Sequence, residues 1–248
     1  MTEQRTARNP EVLKQHPVIV VDIDGVLFDT PQHAVERWNG IHGTSYAVED
    51  IFNHDAKHNQ KLFRHWHEDG IEIDEKTGVK FDDGFYVAQK DVTNYLLIPG
   101  ACEVLAKLKA EYGASLHALT ARDKNNLEDV TLTALGEHFG VGEAEDSLID
   151  ELHFSGDPDL AGETEEEKRK TDKGTILRDK LGAHIMVEDS VANAISSKKA
   201  NVATFVLSRA YNQAGHDWLP EETATDWDTL YHVISKSLDE QGFRKVIE

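Results

Sequence analysis

The sequence predicts a doubly wound α/β fold, in which a parallel sheet is covered by helices on both faces. Short apolar segments that suit buried strands alternate with helical segments from residue 99 onward. The first apolar run, Val18 to Ile23, is interrupted only by Asp22, as expected for a central strand buried on both faces. Polar residues directly follow several of these runs, at the strand ends where such sheets bind ligands.

Composition limits the partners of this chain. Its 248 residues suffice for one sizeable α/β domain with an insertion, and 39% of them are hydrophobic. No apolar run approaches the roughly 18 residues of a membrane span, so we expect no membrane partner. The formal charge of -20 argues against a nucleic-acid polymer or an anionic membrane. An anionic small molecule would have to be attracted by local cations, such as a bound divalent metal.

The single cysteine, Cys102, excludes an intrachain disulfide and favours a reducing, cytoplasmic compartment. We expect Cys102 to pack in a helix as a small hydrophobic residue. Residues 1–16 are polar and contain no apolar segment, which predicts the absence of a secretory signal. We interpret residues 1–17 as a flexible tail.

The chain divides into a core and an insertion. The core comprises residues 18–30 and 99–248, and residues 31–98 interrupt the α/β alternation. This insertion is rich in histidine, asparagine, aspartate and aromatic residues and shows weak helical periodicity around 31–39 and 59–68, so we predict a mostly helical cap. We predict about five strands in all: the first strand at 18–23 and four more within 99–248. Their ranges are 115–119, 148–154, 184–187 and 202–207, and the helices are 101–112, 125–139, 173–181, 191–200 and 227–238.

Individual residues predict where some of these helices begin and end. Gly113 and Gly182 are suited to ending helices, and Asp172 is suited to capping the start of one. The helix at 125–139 is expected to bury the apolar residues along one side, namely Leu127, Val130, Leu132, Leu135 and Phe139.

Two carboxylates mark the end of the first strand. Asp22 and Asp24 are two residues apart, which places both on one side of an extended chain, and Gly25 allows a turn directly afterwards. Burying two acids is costly, so such a pair indicates a metal site or a reaction. The pattern Asp22-x-Asp24-x-Val26 resembles the first motif of the haloacid dehalogenase superfamily, whose phosphatases use such a pair. The alternative is a hydrophobic strand that ends in a polar turn.

Two further motifs could bind phosphate. Thr120 and Ala121 follow the second strand, where a hydroxyl and free backbone N–H groups could hold phosphate oxygens. The resemblance implies that Thr120 is the second motif of the superfamily. Arg122 could add a bidentate phosphate contact or form a plain surface ion pair. The resemblance also implies a cation just before the last motif, and Lys173 fits this place, with Lys170 as the alternative.

The fourth motif is a second pair of acids, Glu188 and Asp189, again after an apolar strand. Mg²⁺ prefers hard oxygen ligands. The resemblance implies a Mg²⁺ site formed by Asp22, the backbone carbonyl of Asp24, and Asp189. The superfamily often has two aspartates here, so Glu188 could contact either a metal-bound water or Lys173.

The resemblance implies a Mg²⁺-dependent phosphatase. Asp22 would be the nucleophile that forms an aspartyl phosphate, and Asp24 would be the general acid and base. Mg²⁺ and Lys173 would offset the repulsion between Asp22 and the phosphoryl group. The rival hypothesis is a non-catalytic phosphate-binding or regulatory module on the same fold.

The substrate is expected to be a small phosphorylated metabolite. Residues 206–213 and 225–227 loosely resemble the 5'(3')-deoxyribonucleotidases, which implies a nucleoside monophosphate. Sugar phosphates or phosphoglycolate are the alternative. Six aromatic residues of the predicted cap could stack on a base or pack together as the core of the cap: Phe52, Phe63, Trp66, Phe81, Phe85 and Tyr86.

Overall fold

The computed structural model describes residues 16–43, 45–48, 95–142, 146–162, 164, 171–212 and 222–246. Most of the predicted cap, including the six aromatic residues named above, lies outside this part of the chain, as do Lys170 and residues 1–15. The division into tail, core and cap therefore stays a prediction. Within the described residues, a parallel sheet with flanking helices confirms the predicted fold class.

Among the described residues, the sheet has six parallel strands. They are β1 (Val18–Val21), β2 (Ser115–Thr120), β3 (Glu151–Phe154), β4 (Ile185–Glu188), β5 (Ala203–Leu207) and β6 (Thr223–Ala224). Their order across the sheet is β3-β2-β1-β4-β5-β6. The chain therefore winds outward from β1 in one direction and from β4 in the other. This change of direction between β1 and β4 is the topological switch point at which such sheets bind ligands.

Seven described helices accompany the strands. They are α1 (Thr30–His42), α2 (Ala101–Tyr112), α3 (Lys124–His138), α4 (Pro158–Ala161), α5 (Lys173–Asp179), α6 (Val191–Lys199) and α7 (Trp227–Glu240). A short 3₁₀ turn covers Ala210–Asn212.

The central strand β1 is buried on both faces, which explains its nearly continuous apolar sequence. Ile19 and Val21 belong to the larger hydrophobic cluster, which includes residues of α2, α3 and α7. Val20 belongs to a smaller cluster on the other face, together with Ile176 and Leu177 of α5. The alternation along the strand thus sends neighbouring side chains into two separate cores.

Several element boundaries differ from the sequence prediction. The strand β3 begins at Glu151 instead of residue 148, because Ile149 forms an isolated parallel bridge with Val141 outside the main ladder. The short strand β6 was not predicted, since two residues are too few to show a periodic pattern. Among the described residues, no helix has both the length and the apolar composition that a membrane span requires.

The predicted buried side of the helix at 125–139 is partly wrong. Leu127 and Leu135 are buried, but Leu132 is 40% exposed. Thr131 is fully buried instead, because its hydroxyl donates to the Leu127 carbonyl and accepts from Arg122. Thr131 therefore occupies a core position that a search for apolar residues at helical spacing does not find.

Other local predictions agree with the structure. Asp172 caps α5 by accepting a hydrogen bond from the Thr175 backbone N–H at 2.8 Å. Cys102 lies half-buried in α2, with its sulfur 3.4 Å from the His138 carbonyl oxygen. Gly113 ends α2 in the left-handed conformation, with φ of 63°.

Candidate active site

The site lies at the carboxyl ends of β1, β2 and β4. Val21 pairs with Ala118 on one side and with Val187 on the other. Asp22 continues this pairing by donating its backbone N–H to the Val187 carbonyl at 2.9 Å. The residues that follow these three strands are therefore brought together, although they come from distant parts of the sequence.

Lys173 joins the first and fourth motifs. Its Nζ lies 2.6 Å from Oδ1 of Asp22 and 2.5 Å from Oε1 of Glu188. The Lys173 side chain is only 4% exposed, and the Glu188 side chain is fully buried. The structure thus places Lys173 between Asp22 and Glu188, whereas the alternative cation, Lys170, lies outside the described residues.

The remaining oxygen of Glu188 is used to shape the turn after β4. Its Oε2 accepts hydrogen bonds from the backbone N–H groups of Asp189 and Ser190, each at 3.1 Å. Glu188 therefore anchors both Lys173 and the backbone that carries Asp189. An aspartate at this position would be one methylene shorter.

Asp189 is held by two residues of the 3₁₀ turn after β5. The Tyr211 hydroxyl donates to Oδ2 of Asp189 at 2.5 Å. The Asn212 side chain donates to the Asp189 carbonyl and to the Leu207 carbonyl, both at 2.9 Å. Sequence reasoning did not identify Tyr211 as a site residue, because its partner lies 22 positions away.

Gly25 packs directly against this pair. It has φ of 78°, and a Cβ atom there would lie 2.1 Å from Oδ2 of Asp189 and 2.4 Å from the Tyr211 oxygen. The first motif therefore needs glycine for two reasons: the left-handed backbone and the close approach of the fourth motif.

The Asp24 carboxylate accepts hydrogen bonds from two side chains, those of Arg122 and Thr30. Arg122 donates to it through Nε at 2.9 Å and through Nη2 at 2.6 Å, and Thr30 donates its hydroxyl at 2.5 Å. Arg122 also donates to Thr131 at 3.0 Å and lies above the Tyr95 ring, 5.2 Å from its centroid.

The expectation that Arg122 forms a surface ion pair is wrong, because its side chain is completely buried. The alternative, a phosphate contact, stays a prediction; in the structure Arg122 bonds to Asp24 and Thr131. Sequence reasoning missed Thr30 and Thr131. The only signal was the position of Thr30 shortly after the first motif.

Thr120 ends β2 and is almost fully buried. Its hydroxyl accepts a hydrogen bond from the Arg122 backbone N–H at 3.2 Å, which stabilises the turn. Ala121 between them is exposed. The phosphate-binding role of Thr120 and Ala121 stays a prediction, and the turn geometry is consistent with it.

Burial is the largest influence on the pKa values in this cluster. Burial raises the pKa of Asp22 well above its ordinary range, and the neighbouring acids Glu188 and Asp189 raise it further, against the lowering effect of Lys173. Burial and Glu188 raise the pKa of Asp189 to about 7, although the Tyr211 hydrogen bond lowers it. Burial alone would lower the pKa of Lys173, but the carboxylates of Asp22 and Glu188 raise it above its usual value.

The described part of this cluster carries an excess of negative charge. When ionised, its four carboxylates outnumber its two cations by two charges: Asp22, Asp24, Glu188 and Asp189 against Lys173 and Arg122. Carboxylate oxygens of Asp22, Glu188 and Asp189 lie within 4.8 Å of one another. Hard oxygen donors with this charge excess fit a divalent cation such as Mg²⁺.

The donors differ in how they could reach such a cation. The side chain of Asp24 is occupied by Arg122 and Thr30, so a contribution from Asp24 would use its backbone carbonyl, as the motif resemblance implies. Asp22 and Asp189 offer carboxylate oxygens from the two strand ends that flank the switch point.

Comparison with solved structures shows which known fold this chain resembles. No family model and no curated protein sequence matches this chain. A haloacid dehalogenase-like protein of unknown function from Agrobacterium tumefaciens superposes with a TM-score of 0.58 at 18% identity, covering 90% of this chain and 99% of that one. A haloacid dehalogenase family hydrolase from Deinococcus radiodurans, with bound phosphate and sodium, gives 0.56 at 16% identity, with 90% and 97% covered.

A third solved structure, a predicted phosphoglycolate phosphatase from Haemophilus somnus, gives a TM-score of 0.54 at 18% identity, with 90% and 99% covered. The loose resemblance to deoxyribonucleotidases receives no support from these three structures. At these identities the similarity concerns the fold alone. This chain has the haloacid dehalogenase-like fold.

Proposed function

We propose that this chain is a Mg²⁺-dependent phosphomonoester hydrolase that works through an aspartyl phosphate on Asp22. The observation that carries the proposal is the pairing of two differently held acids. Asp22 is bound to Lys173 beside further carboxylates, whereas Asp24 is held separately by Arg122 and Thr30. Two neighbouring acids in different environments suit two different roles.

Asp22 would act as the nucleophile. Its carboxylate must approach a phosphoryl group of the same charge, so nearby cations are needed to lower the repulsion. Lys173 lies within hydrogen-bond distance of Asp22 and would neutralise charge as the bond to phosphorus forms. Mg²⁺, held by Asp22, Asp189 and the Asp24 backbone carbonyl, would supply further stabilisation of charge on the phosphoryl oxygens.

Asp24 would transfer the protons. An alcohol leaving group needs a proton, and the water that later hydrolyses the aspartyl phosphate must lose one. The Asp24 side chain is 15% exposed, so it is accessible from the site. The two hydrogen bonds from Arg122 favour its carboxylate form, which is the form that accepts a proton from water. Protonating the leaving group would require this contact to loosen.

Three groups would bind the phosphate oxygens. They are the Thr120 hydroxyl, the Ala121 backbone N–H and the Lys173 ammonium group. Thr120 and Lys173 are both at the strand-end edge of the sheet, on either side of β1. This arrangement would surround a phosphoryl group that is bonded to Asp22.

The same fold also supports dehalogenases, and two features favour phosphoryl transfer here. A halide leaves as a stable anion and needs no proton, so a dehalogenase would use Asp24 at most as a base and would give no role to a general acid. The excess of negative charge in the cluster also calls for a cation, which phosphoryl transfer uses.

The substrate would be a small phosphorylated metabolite. The residues that suggested a nucleoside monophosphate make contacts within the protein itself. Asn212 donates to the backbone carbonyls of Asp189 and Leu207, after β4 and at the end of β5. The buried Trp227 donates its indole N–H to the Val26 carbonyl at 3.1 Å. Asp172 caps a helix. Sugar phosphates and phosphoglycolate therefore fit at least as well as nucleotides, and one structure of similar fold is a predicted phosphoglycolate phosphatase.

The test is a hydrolysis screen. Purified protein would be assayed on p-nitrophenyl phosphate, sugar phosphates, phosphoglycolate, and ribo- and deoxyribonucleoside monophosphates, with Mg²⁺ and with EDTA. We expect metal-dependent phosphate release and a clear lead in kcat/KM for one substrate class. A lead for nucleotides would restore the nucleotidase hypothesis. Absence of metal-dependent turnover on every compound would favour the non-catalytic phosphate-binding module.

A further inference from the structure

A second cluster of metal-ligand residues lies away from the acidic site. His117 is in the middle of β2, and Glu151 and His153 are on β3. His117 is paired in register with Glu151, and His153 lies two positions further along the same strand. The alternation of side chains therefore places Glu151 and His153 on one face, next to His117.

Three atoms of this cluster converge. His117 Nδ1 is 3.0 Å from His153 Nε2, which is 3.2 Å from Oε2 of Glu151, and His117 Nδ1 is 3.9 Å from the same oxygen. In a tetrahedral zinc site with bonds of about 2.0–2.1 Å, neighbouring ligand atoms are roughly 3.3 Å apart. The observed separations bracket that value, so small side-chain adjustments would let one ion contact all three.

The other side of the His117 ring is already anchored. His117 Nε2 is 2.9 Å from the Ser115 hydroxyl oxygen, and Ser115 donates its own proton to Asp150 at 3.3 Å. With its proton assigned to Asp150, Ser115 is the acceptor for His117 Nε2–H, and this tautomer of His117 has a lone pair on Nδ1, facing His153. Asp150 is fixed in turn by Lys109 at 2.6 Å. Metal-binding histidines commonly have such an outer hydrogen-bond chain.

We propose that His117, His153 and Glu151 form a binding site for a divalent transition-metal ion of the Zn²⁺ type. Two imidazole nitrogens and one carboxylate oxygen favour Zn²⁺ or Co²⁺ over Mg²⁺, which prefers oxygen ligands alone. Both histidine side chains are mostly buried, whereas the Glu151 side chain is 60% exposed, so the ion would enter from the Glu151 side. A fourth position is left for water.

The state of the imidazoles agrees with this assignment. Burial lowers the pKa of His117, and burial together with His117 lowers the pKa of His153. Neutral imidazoles are the form that binds metal. The ion would link β2 to β3, the strand at one end of the sheet, and would stabilise that edge. This site is separate from the acidic cluster and does not depend on the proposed phosphatase activity.

The experiment uses Co²⁺ as a spectroscopic substitute for Zn²⁺. The full chain would be titrated with Co²⁺ in saturating Mg²⁺, which keeps the oxygen-rich site filled. We expect one equivalent of Co²⁺ to produce visible absorption with the intensity of tetrahedral nitrogen coordination, and Zn²⁺ to abolish it by displacement. Zn²⁺ should also raise the Tm of the wild-type protein.

Three variants and one control separate a metal site from a histidine hydrogen bond. His153→Gln and Glu151→Gln each remove a ligand; Glu151 is exposed enough that its variant should fold normally. Ser115→Ala keeps the ligands but removes the outer anchor, so affinity should fall by about 10- to 100-fold. His232→Gln changes an exposed histidine on α7 and should bind like wild type.

The results would decide the proposal. Loss of the Co²⁺ absorption and of the Zn²⁺-induced Tm rise in His153→Gln and Glu151→Gln, with both retained in His232→Gln, would support it. Absence of the absorption in wild-type protein, or its persistence in His153→Gln, would overturn it. In that case the two histidines form only a hydrogen bond between neighbouring strands.

Discussion

Arg122 donates two hydrogen bonds to Asp24, from Nε at 2.9 Å and from Nη2 at 2.6 Å, although 98 positions separate the two residues. This bidentate contact joins the turn after β1 to the turn after β2 and fixes the orientation of the second acid. Because Arg122 is buried and Asp24 is only slightly exposed, the geometry is protected from competing water.

Replacing Arg122 by lysine tests the importance of this orientation. Arg122→Lys keeps the positive charge but cannot form the two parallel hydrogen bonds. We expect kcat to fall by about 10- to 100-fold, since general acid–base catalysis depends on position, with a smaller change in KM. Steady-state kinetics on p-nitrophenyl phosphate would measure this. Arg178→Lys, at an exposed ion pair on α5, is the control and should leave both constants unchanged. An unchanged kcat in Arg122→Lys would contradict the role of the bidentate contact between Arg122 and Asp24.

Tyr211 is expected to tune metal binding through Asp189. Tyr211→Phe removes the hydroxyl that donates to Asp189 while it keeps the ring in the core. The Mg²⁺ affinity should weaken by about 10-fold or more, as for other residues that orient a ligand. Calorimetric titration with Mg²⁺ would show the change. Tyr231→Phe removes a hydroxyl bonded to Glu111, outside the site, and should bind Mg²⁺ normally. Equal affinities in the two variants would rule out the proposed link.

Two glycines with similar backbone conformations allow a matched comparison. Gly25 and Gly43 have φ of 78° and 67°, but an added Cβ has no neighbour within 4 Å at Gly43. Gly43→Ala should therefore cost only the left-handed backbone strain, on the order of 1 kcal/mol. Gly25→Ala adds a collision with Asp189 and should destabilise more and weaken Mg²⁺ binding. Urea unfolding of both variants would measure the difference. Equal losses of stability would show that the close approach at Gly25 has little importance.

The motifs that sequence analysis found are those that rely on local pattern. Asp22 and Asp189 each follow a strand, Thr120 ends one and Lys173 begins a helix, and the structure places all four at one edge of the sheet. Their grouping could be predicted because the carboxyl ends of parallel strands converge.

The residues that were missed or misassigned act through partners distant in sequence. Thr131 reads as a polar helix residue until Arg122 is placed beside it, and Tyr211 shows its role only in contact with Asp189. Such pairs depend on how the elements pack together. Periodicity and motif spacing do not contain that information. Leu132 is the converse case, since an apolar residue at a helical spacing lies on the exposed side.

The stability of the metal-free protein should depend on pH through Asp189. Its pKa rises from an ordinary 3.8 to about 7 in the folded protein. Between these values the folded state binds a proton that the unfolded state does not, so stability is greatest below about pH 4 for this group and is lost as the pH rises through 7. The free energy of unfolding, measured with urea in EDTA at intervals of about one pH unit between pH 5 and 8, should fall as the pH rises towards 7.

The matched variant is Asp189→Asn, which cannot ionise at this position. Its stability should depend less on pH across the same range, and saturating Mg²⁺ should reduce the wild-type slope because it stabilises the ionised carboxylates. A wild-type slope that is identical in Asp189→Asn would show that another group is responsible.

The nucleophile assignment is tested most directly by trapping the phosphoenzyme. Asp24→Asn protein would be mixed with p-nitrophenyl phosphate and Mg²⁺, quenched in acid and analysed by peptide mass spectrometry, with Asp22→Asn as the control. Asp22→Asn should fold normally, because burial already raises the pKa of Asp22, but its kcat should fall by about a thousandfold or more. We predict one phosphoryl group on the peptide that contains Asp22 in the Asp24→Asn protein and none in the Asp22→Asn protein. A phosphoryl group on another residue, or near-normal kcat in Asp22→Asn, would contradict the account.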